Sequence, residues 1–209
     1  IGSTAGQAVW DSNFKGVWHL KDDTTSTTKD STSNNNNGTK KAANEPIETD
    51  GKVAKAQSFD GSDDYIQVSD ATSLEPSNLT ISALVKTSQV RAECLVHKIY
   101  TTDPFPGYAL VINSAGPGSY TENGYIGFWT GGSDWVSVSL GSGMISDNSW
   151  HLITATNDGS YSKIYFDGVL KTTVARGIST SNSVNLRMGY HPFNGTTLNG
   201  LIDEVRIYN

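Results

Sequence analysis

Apolar residues recur at every second position along most of this 209-residue chain, and nowhere at the 3.6-residue spacing of an amphipathic helix. Runs such as "LTISALVKT" (79–87), "GYALVIN" (107–113), "GYIGFWT" (124–130), "DWVSVSL" (134–140), "WHLITATND" (150–158) and "LIDEVRIYN" (201–209) share that period. Clusters of Gly, Asn, Asp and Pro separate them. About a dozen short strands at this spacing predict an all-β fold, a two-sheet antiparallel β-sandwich. Charged residues make up only 17% of the chain, which fits many strands joined by uncharged polar turns. The length suits one such domain.

Net charge is −6, and no basic patch marks a nucleic-acid partner. The same charge disfavours anionic membranes, and no run approaches the roughly 20 apolar residues of a transmembrane helix. Cys94 is the only cysteine, so no internal disulfide forms; an inert buried thiol is expected. The chain opens at Ile1 rather than Met, as expected of a processed or excised part of a longer protein.

Residues 22–50 break the pattern. "DDTTSTTKDSTSNNNNGTKKAANEPIETD" is polar with little hydrophobic content and reads as a long loop or partly mobile segment. A loop of that length inside a compact domain needs a reason, such as a bound ion or a functional rim.

The stretch "FWTGGSDWV" (128–136) carries two of the five tryptophans. With "TGGSD" as the turn of a hairpin, Trp129 faces Trp135, Phe128 faces Val136 and Ile126 faces Val138. Alternation then puts Ile126, Phe128, Val136, Val138 and Leu140 on a core face. Tyr125, Gly127, Trp129, Trp135, Ser137 and Ser139 take the other. An aromatic pair among small polar neighbours suits the C–H face of a sugar. The alternative is satellite packing beneath a covering loop, with 22–50 the candidate cover.

Four segments, in order, resemble laminin-G-like domains: "SFDGSDDYIQV", "LTISALVKT", "WHLITATNDGSYSKIYFDGVL" and "GLIDEVRIYN". One departure is Leu84, where the family places Trp. The resemblance implies a concanavalin A-like jelly roll. "VWDSNFKGVWHLKDD" is similar to the junction that precedes such units, implying a linker or domain end at 1–15 and the domain at 16–209. It also implies a structural Ca²⁺ near the junction of the N-terminal loop and the last strand, with Asp30 and Asp203 as matching ligands. Carboxylate and carbonyl oxygens suit that ion. The alternative is that Asp30 caps a turn and Asp203 pairs with Arg206 or Arg187.

Jelly-roll glycosidases place two catalytic glutamates together on one strand. The six glutamates here (45, 48, 75, 93, 122 and 204) offer only Glu45 and Glu48 at close spacing, in the polar segment. No histidine pair or nucleophile-elbow motif occurs among His19, His97, His151 and His191. The expectation is a non-catalytic carbohydrate-binding module, extracellular and covalently linked to other domains, holding a secreted enzyme or surface protein on a polysaccharide. Its contacts would be Trp129 and Trp135, with Tyr125 and Tyr108 beside them. Arg187 and His191 would stand at the rim, and Arg187 with Lys98 would serve an anionic ligand. Arg187 alternates with Leu186 and Met188, so it points away from their apolar face. An adhesion or structural module contacting protein is the alternative.

Overall fold

Along His151–Asn157, buried and more exposed side chains alternate at every position, as a strand with one face on a core requires. The computed structural model describes residues 9–116, 122–132 and 135–209, and sixteen strands run through them. In chain order these are β1 (Phe14–Thr24), β2 (Thr27–Asp30), β3 (Gly38–Lys40), β4 (Ile47–Asp50), β5 (Lys55–Asp60), β6 (Ile66–Val68), β7 (Leu79–Thr87) and β8 (Glu93–Ile99). They continue with β9 (Gly107–Ile112), β10 (Tyr125–Trp129), β11 (Trp135–Ser139), β12 (His151–Asn157), β13 (Tyr161–Phe166), β14 (Val169–Ala175), β15 (Leu186–Met188) and β16 (Asn199–Tyr208). A single 3₁₀ turn spans Thr72–Leu74. No helix among the described residues is long and apolar enough to cross a membrane.

All pairings are antiparallel, as expected, and they trace one path: β11-β10-β9-β8-β15-β6-β3-β2-β1-β16-β7-β12-β13-β14. β5 attaches to β16, and β4 to β5. The path doubles over. β1 pairs with β2 on one side and β16 on the other, joining a front layer (β11 to β2) to a back layer (β16 to β14). One core cluster unites the two: Leu95, Leu110 and Phe128 from the front pack with Ile81, Ile153, Ile164 and Ile207 from the back. Each fully buried aliphatic contributes roughly 1.5–3 kcal/mol.

The two layers differ in their outer faces. Along β12 the outward residues are wet. Along β8 and β9 every residue is buried, so loops cover much of the outer face of the front layer.

Segment 22–50 differs from its expectation as a loop: it forms the end of β1 and all of β2, β3 and β4. Apolar burial does not hold it; buried polar groups do. Asp30 is fully buried. Its Oδ1 accepts from the Val17 and Thr32 amides at 3.0 and 2.9 Å. Its Oδ2 accepts from Thr32 Oγ1 and the Asn36 amide at 2.8 and 2.9 Å. Lys40, also buried, donates to Asp22 at 3.0 Å, and Trp18 Nε1 donates to the Asn36 carbonyl at 2.8 Å. Such a network carries no periodicity to read in advance. Of the expected linker 1–15, residues 1–8 lie outside the described residues; Trp10 packs edge-on against Phe14 of β1.

Candidate ligand-binding site

Cross-strand partners in an antiparallel sheet share a face, so registers can be chained across the front layer. Trp135 pairs with Trp129, Trp129 with Ala109, Ala109 with His97 and His97 with Arg187. Arg187 then pairs with Gln67, and Gln67 with Thr39. One transverse row on the outer face therefore runs from two tryptophans, past a small residue, to a histidine, an arginine and a glutamine.

The hairpin register matches the alternation at every pair from Tyr125–Ser139 to Trp129–Trp135. Ile126, Phe128 and Val136 lie in the core, with Val138 and Leu140 packed against it. The turn residues 133 and 134 lie outside the described residues. Trp129 is nevertheless only 2% exposed. Phe193 stacks on it at 5.2 Å, Phe105 meets it edge-on at 5.7 Å, and Nε1 donates to the Gly132 carbonyl at 3.1 Å. With Cys94, Ile99, Ala109 and Val111 these rings form a second apolar cluster. Satellite packing is thus the outcome for Trp129, and its covers are Phe105 and Phe193, not segment 22–50. Trp135 is half-buried and lies edge-on to Trp129 at 5.4 Å. Its ring fills the space over Gly127, where a Cβ would come within 1.9 Å of it; only glycine permits this. Tyr125, half-buried, shares the face.

Past Ala109 the face opens. A cleft of about 450 Å³ is lined by His97, Ile99, Tyr100, Ser183, Asn185, Arg187 and Tyr190, among others; small-molecule clefts span about 300–1,000 Å³. Leu186 and Met188 face the core while Arg187 faces out, as their alternation predicts. The Arg187 guanidinium packs against the Tyr65 and Tyr190 rings, 5.3 and 5.0 Å from their centroids, the two rings themselves meeting edge-on at 6.0 Å. Its Nε donates to Gln67 Oε1 at 3.1 Å. Tyr190 reaches this position because Gly189 turns the chain at φ +79° with its Cα against the Phe59 ring, where a Cβ would come within 2.4 Å.

His97 is 5% exposed, and neither ring nitrogen has a partner. Burial, reinforced by Arg187 and His191, pushes its pKa down to about 3. At neutral pH it is an uncharged imidazole with an unused donor and an unused acceptor, a combination that costs about 1–3 kcal/mol per orphaned group.

Three expected contact residues lie elsewhere. Tyr108 is fully buried on the core side, its hydroxyl donating to the Leu74 carbonyl at 2.9 Å. Lys98 pairs with Tyr108 on that side. Its Nζ is buried against Asp70 at 2.7 Å and Glu75 at 2.9 Å, so it ties loops together rather than meeting a ligand. His191 is buried in the loop above the face, accepting from the Phe193 amide at 3.4 Å, and burial lowers its pKa to about 4.

The expected calcium ligands are not brought together. Asp30 pairs with the core residue Trp18, and its oxygens are filled by four donors, so it does not fit a cation. It organises a turn, one of the alternatives above. Asp203 pairs with Leu84 on the outer side of the back layer. Its Oδ2 accepts from the Val53 amide at 2.7 Å. Its Oδ1 is buried without a partner, and burial raises its pKa. Arg206 pairs instead with Glu204 at 2.6 Å. Among the described residues the carboxylate cluster is Glu45, Asp63 and Asp64, with the Lys41 ammonium against Glu45 and Asp63.

From residue 60 to 209 the sequence matches the model of a laminin-G family described as the concanavalin A-like lectin/glucanases superfamily. The chain belongs to this superfamily. Its fold is the jelly roll of that group, with the site on the outer face of one layer. Among curated protein sequences none matches. Among solved structures, domain 4 of AbnA, a GH43 extracellular arabinanase from Geobacillus stearothermophilus, in complex with arabinotriose, is similar. Its TM-score is 0.67 at 20% identity, over 94% of this chain and 92% of that one. The binding domain of botulinum neurotoxin DC is similar in its complex with SialylT (TM-score 0.63, 13% identity, 94% and 47% covered). It is also similar in its complex with rat synaptotagmin II (0.64, 14%, 94% and 48%). The chain spans about half of those toxin domains. At these identities the likeness carries the fold.

Proposed function

We propose that this chain is a non-catalytic, extracellular carbohydrate-binding module that holds a secreted enzyme or surface protein on a polysaccharide. The observation that carries this is the transverse row: on one face it sets a ring-walled, hydrogen-bonding cleft beside a rigid aromatic block. Tyrosine rings offer faces to sugar C–H groups, and Arg187, His97 and Asn185 offer donors to hydroxyls. Trp135 and Tyr125 remain stacking candidates at the far edge; Trp129 supports them from beneath. The cleft lining holds no Asp or Glu, and glycoside hydrolysis uses two. That an arabinanase domain with arabinotriose and a toxin domain with SialylT share the fold supports the reading.

The test is a glycan array with immobilised plant, bacterial and animal polysaccharides, run with and without Ca²⁺. Retention on at least one glycan is expected, weakened by Tyr190→Ala. A blank array under both conditions ends the reading.

The calcium expectation goes forward at Asp203 alone, whose orphaned Oδ1 is suited to a hard cation. Ca²⁺ added to EDTA-treated protein is expected to raise the melting temperature in the wild type and not in Asp203→Asn. An unmoved wild type removes the ion.

The alternative, an adhesion or structural module, draws on the outer face of the back layer. There Leu152, Leu170 and Val53 are at least a third exposed, and Leu152 and Val53 line a shallow cleft with Leu84 and Tyr208. Apolar surface of this kind suits contact with a neighbouring domain. A blank array combined with binding to adjacent domains of the full-length protein, lost in Leu152→Lys, selects it.

A further inference from the structure

We propose that the His97–Arg187 cleft recognises an acidic saccharide, seating the carboxylate of a uronic acid unit on the Arg187 guanidinium. The inference rests on the carbohydrate-binding reading and adds the class of sugar.

Charge pairing carries it first. The chain has 21 acidic and 15 basic residues, so carboxylates are in surplus. Buried and half-buried cations elsewhere accordingly sit on them: Lys40 on Asp22, Lys98 on Asp70 and Glu75, Arg91 on Glu93 and Arg206 on Glu204. Arg187 is half-buried and has no carboxylate partner among the described residues. It has instead been fixed in place. The Tyr65 and Tyr190 rings pack against it, and Gln67 takes its Nε. The terminal amino groups find no protein acceptor among the described residues. A guanidinium held in this way loses little freedom on accepting a carboxylate in the two-pronged geometry that it favours.

The second observation is independent. His97, next to Arg187 in the row, is more than nine-tenths buried, lines the cleft and leaves both nitrogens without a partner. A sugar oxygen that reaches one of these nitrogens would supply a partner that the protein does not. An incoming acidic sugar thus satisfies both groups that the protein leaves unmatched.

The rest of the lining selects a sugar acid over a phosphate. One guanidinium supplies one positive charge, which balances a carboxylate; a doubly charged phosphate calls for more. Tyr100, Thr101, Ser183 and Asn185 set hydroxyl and amide groups among the lining, while Ile99, Val184 and Pro192 supply apolar surface for ring C–H groups.

The experiment is calorimetric titration of the whole chain with oligogalacturonate, oligoalginate and hyaluronan oligosaccharides. Comparison ligands are methyl-esterified oligogalacturonate, neutral arabinan and glucan oligomers, and a sulfated dextran. At least one uronate is expected to bind. For oligogalacturonate, esterification should weaken binding roughly tenfold or more, the effect of losing a charged hydrogen bond. Arg187→Lys should weaken uronate binding and Arg187→Gln should erase the preference for acid over ester or neutral sugar. Both should melt within a few degrees of the wild type. Equal binding of acid and ester, an unchanged preference in Arg187→Gln, or binding of sulfated dextran as tight as that of uronates would overturn the proposal. If neutral glycans bind and uronates do not, this inference falls and the carbohydrate-binding reading stands. If nothing binds, both fall.

Discussion

The Trp129 and Arg187 ends of the transverse row lie on different strands of one layer, β10–β11 and β8–β15, and face the same way, yet they are finished oppositely. At the Trp129 end, apolar rings from two loops close over the sheet; the Trp129 N–H finds a carbonyl, and that of Trp135 is shut in without a partner. At the Arg187 end, the lining stays open, and the two most polar side chains of the row, His97 and Arg187, are left with bonding capacity unused. One end is finished as core and the other as a receptor. A buried aromatic pair is therefore not by itself a sugar platform; unspent donors next to open volume are the better sign.

The contrast breaks most sharply under Trp129→Ala. Deleting a buried indole costs about 3–5 kcal/mol, and at roughly 2–4 °C per kcal/mol for a domain of this size the melting temperature should fall by on the order of 10 °C. Arg187→Gln should leave it within a few degrees. Thermal unfolding of the two variants side by side decides: if Trp129→Ala melts like the wild type, the closed end is not core and the distinction collapses.

The hairpin, its register and its two faces were legible because "YIGFW" and "WVSVS" alternate cleanly around a glycine turn. Arg187 was legible for the same reason, between Leu186 and Met188. Lys98 and Tyr108 were misplaced because β8 and β9 are buried on both faces. Where both parities are apolar, alternation carries no sign. A bulge between Cys94 and Val96 then shifts the phase, so the residue reaching the cleft is His97 and its neighbour Lys98 turns inward. Tyr65 and Tyr190 reach Arg187 only through pairing between strands far apart in sequence and through the turn at Gly189. The covers Phe105 and Phe193 sit in loops whose course no local pattern states. Segment 22–50 looked structureless because its order rests on Asp30, Asn36 and Lys40, not on apolar spacing.

A smaller effect comes from Glu93, on the same strand as His97 and equally buried, but supplied with partners. It accepts from the Asn199 amide at 2.9 Å and from Thr87 Oγ1 at 3.4 Å. Burial outweighs these and lifts its pKa from the usual 4.5 to about 7. Below pH 4.5 both folded and unfolded chains hold the proton, and the residue costs nothing. Between 4.5 and about 7 the unfolded chain releases it first, so stability falls as pH rises; above that range the whole penalty is present. Glu93→Gln should remove that slope and stabilise the protein at pH 8 by on the order of 1–3 kcal/mol. Melting curves from pH 4 to 8 test this; a variant less stable than the wild type at pH 8 would mean that Glu93 is held as a favourable anion.

The smallest expected effect on neutral-pH stability, and the one that separates receptor from core most finely, is that of His97→Leu. Leucine is apolar, fits a buried strand position, and leaves no orphaned nitrogen. At pH 7 the folded protein should be unchanged or up to about 1 kcal/mol more stable, since an unmatched polar group has been replaced by an apolar one. The acid limb should change as well. The folded-state pKa of His97 is about 3 against an ordinary 6.5, so the unfolded chain takes up a proton first as pH falls below 6.5, and the wild type loses stability over that window. His97→Leu should flatten this loss. Glycan binding should nevertheless weaken, because the cleft has lost its second polar partner. A residue whose replacement raises stability and lowers binding belongs to a site. If His97→Leu instead melts well below the wild type and binds glycans normally, His97 is packing, and the open end of the row is as structural as the closed one.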